Sequence, residues 1–308
     1  MHATVLIMFT RRTLLALPFA SAVARVLKAQ TGNSRMLLAI HQNTSRAAGF
    51  QGSLEGWAAA GIRNVELNAN LLDTFLENNT LAGTRQLLTD LDLTPVSGAV
   101  ALPDLWIPGP ERETSLETWR MRCEQFVGLG LEKIYSPSVT RRPVTAEDFS
   151  ETPDCIREAG AIAAEFGLTA MIEFTRTSTH LSTLTSTLQV IRAAAHPNVR
   201  PMLDFFHFWS GMSKFEDLDL LEPGELAHAH FQDLLDTPRE LIDNDSRIIP
   251  GDGITPIVPI LSKLAEKGYD GALSVELFRA ELVNGDPFEV ASEIREKCET
   301  LMEEAGVL

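Results

Sequence analysis

Residues 199–208 read VRPMLDFFHF, an apolar run in which an acid and an imidazole, Asp204 and His207, stand three positions apart. Read as a buried strand, it poses a physical problem. A carboxylate enclosed by Leu and Phe is costly unless it is paired or holds a metal. The same kind of run recurs along the chain: MLLAIHQ (36–42), NVELNAN (64–70), TPVSGAV (94–100), KIYSPSV (133–139), LTAMIEF (168–174), LAHAHFQD (226–233) and GALSVELF (271–278), eight in all with 199–208. Helical candidates lie between and after them, at 53–61, 80–91, 115–130, 154–167, 182–196, 254–268 and 288–306, several closing on glycine, the favoured residue just past a helix C-terminus. Strands that alternate with helices are joined by crossovers and lie parallel. Eight such units predict an α/β fold, a closed (β/α)8 barrel over 36–308 as a single domain. An open doubly wound sheet is the runner-up, disfavoured because no GxGxxG follows the first run.

The chain carries 26 basic and 42 acidic residues, a net charge of −16, which opposes nucleic-acid and anionic-membrane partners. Its three cysteines, Cys123, Cys155 and Cys298, form neither a CxxC pair nor a zinc-like cluster. Residues 1–29 differ in kind: Arg11, Arg12, Arg25 and Lys28 appear with no acid, and Arg11-Arg12 precede TLLALPFASAVA. That order of charge, short apolar run and small residues predicts a twin-arginine-like signal peptide over 1–29. The expectation is a periplasmic or secreted protein with no stable membrane anchor after processing; without such a signal it would be cytoplasmic. Removing 1–29 takes away four basic residues and moves the net charge from −16 to −20.

Four consecutive runs end near a ligand type: Glu173 in MIEF, Asp204 in MLDFFH, His230 in HAHFQD and Glu276 in SVELF. In a barrel the C-terminal strand ends converge on one mouth, where active sites sit. Three carboxylates and one imidazole make a mostly hard oxygen set suited to one divalent ion, Mn²⁺ first, with Mg²⁺, Co²⁺ or Zn²⁺ as substitutes. His41, at the end of the first run, is expected at the same mouth, with Glu66 a weaker candidate that a nearby arginine would neutralise. Trp209 is the aromatic chosen to wall a sugar pocket, and His180 a candidate for its rim. His228 and His230 are expected to differ in direction, with His228 facing outward or lying deeper. The long connections after runs six and seven are candidate lids or substrate contacts.

The segments MIEF, LDFFHFW, HAHFQD, RIIPGDG and SVELF resemble the xylose-isomerase-like barrel superfamily, in its sugar phosphate isomerase/epimerase group, over about residues 36–285. The resemblance implies that Glu173, Asp204, His230 and Glu276 bind one metal ion, that His207 contacts substrate beside it, and that Arg247 holds a substrate oxygen, with Arg239 in reserve. It also implies Glu173 and Glu276 as the proton-transferring pair on a small-molecule sugar, a ketose or keto-sugar, through an enediolate. Related members imply the alternative of a dehydratase or lyase acting on a keto-inositol or 3-keto-glycoside. Abasic-site endonucleases of the superfamily need further histidines that NVELNAN and TPVSGAV lack, so a DNA substrate is not expected. A non-catalytic sugar-binding barrel is the reading of a different class, and homo-oligomeric assembly stays open.

Overall fold

The computed structural model describes residues 35–308; the signal expected over 1–29 lies outside the described residues. All eight expected strands form: β1 (Leu37–His41), β2 (Asn64–Asn68), β3 (Thr94–Ala99), β4 (Lys133–Pro137), β5 (Thr169–Glu173), β6 (Val199–Asp204), β7 (His228–His230) and β8 (Ala272–Val275). They close in parallel in the ring order β1, β8, β7, β6, β5, β4, β3, β2. Closure is made by Leu37–Ile40 against Ala272–Val275. Among the described residues no helix is long and apolar enough to cross a membrane.

The helices follow their capping chemistry. The helix expected from 154 begins at Ala146, because Thr145 and Asp148 form a reciprocal capping box there. Gly61, Gly130, Gly167, Gly268 and Gly306, at the ends of the expected helices, all have positive φ, the conformation that glycine adopts without a Cβ penalty. Two helices begin inside stretches expected as strand and run past them. Residues Ala69–Leu76 turn helical because Asn68 caps the backbone N–H groups of Asn70 and Leu71. Phe205–Ser210 does the same behind Asp204, whose side chain accepts from the His207 N–H at 2.7 Å. His207 is therefore on a short helix and not in β6, and the D-x-x-H spacing is that of an N-cap and its third helical residue.

The main apolar core lies between strands and helices and contains Trp57, Trp119, Phe126, Phe174 and Phe208. A second, small cluster of Ala99, Tyr135, Met171 and Met202 fills part of the barrel interior. Alternation along a strand puts residues i and i+2 on one face, so β5 to β8 point inward twice: Met171 and Glu173, Met202 and Asp204, His228 and His230, Ser274 and Glu276. Register sets Met202 opposite His228 and Asp204 opposite His230, whereas Glu173 stands opposite Met202 and Ser274 opposite His230, so the tiers follow position along each strand and are staggered across the barrel.

Candidate metal centre and its cavity

The upper tier brings the four expected ligand residues together. Donor atoms of Glu173, Asp204, His230 and Glu276 all lie within 4.8 Å of one another, and all four side chains are buried. His230 Nδ1 stands 3.1 Å from Glu173 Oε1, 3.2 Å from Asp204 Oδ2 and 3.4 Å from Glu276 Oε2. One ring nitrogen carries at most one proton and cannot donate to three carboxylates. Its other nitrogen, Nε2, lies 3.3 Å from Glu66 Oε2, and His228 Nε2 lies 3.0 Å from the same oxygen. A proton on His230 Nε2, donated to Glu66, leaves Nδ1 a lone pair aimed at the carboxylates, the usual carboxylate–histidine–metal arrangement. Donor types, burial and convergence thus fit a divalent cation.

Glu66 was expected to be neutralised by an arginine; it is paired instead with His228 and His230. Burial opposes its charge, but the two histidines hold its pKa well below the usual carboxylate range. Of the two positions expected for His228, outward or deeper in the barrel, it takes the deeper one. It points inward one tier below His230, because residues two apart share a face.

Arg247 reaches the cluster from the connection after β7. Asp233–Leu234 pairs antiparallel with Arg247–Ile248. The Asp233 carboxylate accepts from the backbone N–H groups of Leu234, Gly251, Gly253 and Thr255. A methyl group at Gly253 would collide with the Leu234 carbonyl and the Asp233 carboxylate, so this turn requires glycine. The loop delivers Arg247 Nη1 to Asp204 Oδ2 at 2.9 Å and to Glu276 Oε2 at 2.5 Å, while Nη2 lies 3.0 Å from His207 Nε2. Phe206 and Phe278 cover the guanidinium, with ring centroids 4.6 and 5.1 Å from Cζ. Phe206 packs on Arg247 because the helix begins at Phe205.

Charge shapes the protonation states. Burial pushes Glu173 up to about 8, beyond what His230 lowers. Burial also opposes ionisation of Glu276 and Asp204, but His230 and Arg247 for the first, and Arg247 and His207 for the second, hold both below the usual range. Burial disfavours the charged form of His230, yet Glu276, Glu66 and the hydrogen-bonded carboxylates raise its pKa well above the ordinary value, so without a cation Nδ1 also holds a proton, which a bound cation would displace to free the lone pair. Burial pushes His207 down to about 3 and lowers His41, so both rings are neutral at pH 7.

A cavity of about 330 Å³ opens above the cluster. Glu173, Glu276, His207, Arg247 and His41 line it, and Glu173 and Glu276 are the only carboxylates in its lining among the described residues. Trp209 is not in this lining, nor is His180; the aromatic wall comes from Tyr135 and Phe278. His180 is buried against Thr152, 2.8 Å from its hydroxyl, and Trp209 sits half-buried on the short helix. Arg239 bonds the Gly211 carbonyl and is exposed, away from the cavity lining. Tyr135, Asn43 and Asn68 line the cavity without having been singled out in the sequence. Asn43 Nδ2 donates to Glu276 Oε1 at 2.8 Å, and Asn68 Nδ2 donates to Asn43 Oδ1 at 3.1 Å. For Tyr135 a signal existed: the strand alternation that turns Glu173 inward on β5 applies equally to β4.

Comparison with known proteins places this geometry. A curated relative, the inosose isomerase of Halalkalibacterium halodurans, is 30% identical over 147 residues, 47% of this chain and 52% of that protein. The inosose isomerase of Bacillus subtilis is 28% identical over 156 residues, 50% and 56% of the two chains. The chain therefore matches about half the length of these relatives. Among solved structures, the IOLI protein with a binding zinc atom superposes with a TM-score of 0.81 at 21% identity, covering 88% of this chain and 99% of that one. D-psicose 3-epimerase in the presence of D-fructose gives 0.71 at 19% identity, covering 88% and 100%. At these identities the structures establish the shared fold. The family description of the xylose isomerase-like TIM barrel matches residues 55–303, most of the closed ring and its helices, and the chain belongs to that family.

Proposed function

We propose that the protein is a divalent-metal-dependent sugar isomerase or epimerase that moves a proton at a carbon beside the carbonyl of a ketose or keto-sugar. The observation that carries this reading is the pair Glu173 and Glu276, the only carboxylates lining the cavity among the described residues. Glu173 ends β5 and Glu276 directly follows β8, with His230 on β7 lying between these two strands in the ring. Glu173, Asp204, His230 and Glu276 would hold the ion, Mn²⁺ first, with Mg²⁺, Co²⁺ or Zn²⁺ as substitutes. The chemistry such an ion supplies when bound is Lewis-acid stabilisation of negative charge developing on sugar oxygens. One glutamate removes the proton and the other returns it. Return to the opposite face of the same carbon gives an epimer; return to the neighbouring carbon gives an isomer. Arg247, charged and pinned between Phe206 and Phe278, neutralises a substrate oxygen, and Asp204 and Glu276 hold the guanidinium with the His207 ring beside it.

The inosose isomerase relatives favour a keto-inositol within this substrate class. That likeness also supports a second reading, a carbon–oxygen lyase on a keto-inositol or 3-keto-glycoside, in which the same proton removal is followed by loss of a hydroxyl from the next carbon. Incubation of metal-loaded protein in D₂O with inosose, D-fructose and a 3-keto-glucoside, followed by NMR, tests both. Deuterium at the carbon beside the carbonyl with a new epimer or isomer supports the first reading, and a dehydrated product the second. Protein that binds no divalent ion and exchanges no C–H proton leaves the non-catalytic barrel in their place. Export through residues 1–29 is part of the proposal; periplasmic material beginning after a cleavage site within 22–29 supports it, and a full-length cytoplasmic product removes it.

A further inference from the structure

We propose that Tyr135 donates a hydrogen bond to a substrate oxygen, with its proton directed into the cavity by His41. The backbone N–H of Asn43 donates to His41 Nδ1 at 2.9 Å. A backbone N–H can only donate, so Nδ1 carries the lone pair and the single proton of the neutral ring sits on Nε2. Nε2 lies 3.3 Å from Tyr135 Oη. The tyrosine oxygen therefore accepts from His41, and its own proton needs an acceptor elsewhere. Among the described residues Oη has no other hydrogen-bond partner. Both Tyr135 and His41 line the cavity, so the direction left to that proton is toward the ligand.

The hydroxyl is held in place. The Tyr135 ring is buried in the interior cluster with Ala99, Met171 and Met202, and stands edge-on to His230 at 5.3 Å between centroids. The His41 ring is fixed at the opposite end by the start of the 3₁₀ segment Gln42–Ala48, which it caps. A donor fixed in advance and facing an oxygen gains strength as negative charge builds on that oxygen. The ligand group opposite Tyr135 is thus an acceptor oxygen, a carbonyl or an enediolate. Only the identity of that oxygen rests on the functional reading above.

Three measurements on the metal-loaded protein decide this. Nitrogen-15 NMR of the histidines should find His41 as the Nε2–H tautomer; an Nδ1–H tautomer overturns the proposal. Tyr135→Phe, which keeps the ring, should weaken threonohydroxamate, an enediolate mimic, about 100-fold. Metal content should stay at one ion per chain and the affinity for neutral xylitol should change by only about threefold, and an unchanged hydroxamate affinity overturns the proposal. With any ketose that exchanges its proton, the same variant should lose about 100-fold in exchange rate with KM nearly unchanged, and His41→Phe should add nothing in the Tyr135→Phe background. If the wild-type protein exchanges no ketose proton, the functional reading fails by itself, and the tautomer and hydroxamate affinity still decide the role of Tyr135.

Discussion

Two tiers of the barrel interior, one side-chain step apart on the same four strands, have opposite chemistry. The upper tier is Glu173, Asp204, His230 and Glu276; the lower tier is Met171, Met202, His228 and Ser274. Both are buried. The upper tier sustains its charge because three features exist only at strand ends: a helix start that engages Asp204, a loop that delivers Arg247, and a polar cavity. One step below, the chain has no such support. It places apolar side chains on β5 and β6, and on β7 a histidine whose Nε2 is paired with Glu66. A buried charge is located by what can be brought to it: helix-start and loop groups at the strand ends for the upper tier, and two interior histidines for Glu66 in the middle of β2.

Substitutions on each tier can break this comparison. Asp204→Ala removes a helix cap, a partner of Arg247 and a donor of the candidate centre together. It should destabilise folding by about 3–5 kcal/mol in urea titrations, because Arg247 stays buried with less compensation. A chelator should then no longer lower its Tm, whereas it lowers that of the wild type; a chelator effect that survives in the variant places the cation elsewhere. Glu173→Gln keeps shape and burial. Deuterium exchange into substrate should fall by about 100- to 10,000-fold with little change in Tm, and unchanged exchange removes Glu173 from proton transfer. Met202→Ala, on the same strand one tier down, should cost about 2–4 kcal/mol of stability by cavity formation. Metal stoichiometry should stay intact, and loss of metal in this variant would mean that the tiers are not independent. Glu66→Gln should give the smallest effect: metal affinity by calorimetry about 10- to 100-fold weaker, with exchange restored at saturating metal.

The ring of eight strands was legible because each strand is a short apolar run bounded by turn residues, and each crossover helix has its own cap or closing glycine. The four residues of the upper tier were legible as charged types at the ends of four successive runs. Trp209 and His207 were misplaced for one reason. The run 199–208 is apolar on both sides of Asp204, and hydropathy does not reveal that Asp204 stops the strand by capping a helix. From Phe205 onward the periodicity changes from two to 3.6, which turns Phe206 onto Arg247 and leaves Trp209 outside the cavity lining. The inward direction of His228 followed from strand alternation and needed only the correct period.

What the amino-acid order determines by itself is local: where apolar runs begin and end, which residues can cap, and which strands carry an acid or imidazole at their ends. Closure of the ring, the pairing of Glu66 with His228 and His230, the passage of Arg247 into the cluster and the contact of His41 with Tyr135 were decided by tertiary structure. The side-chain contacts among these join residues from 29 to 164 positions apart. Such pairs meet only when the barrel has closed, because a buried charge or proton chooses its partner by distance in space, and distance along the chain carries no record of it.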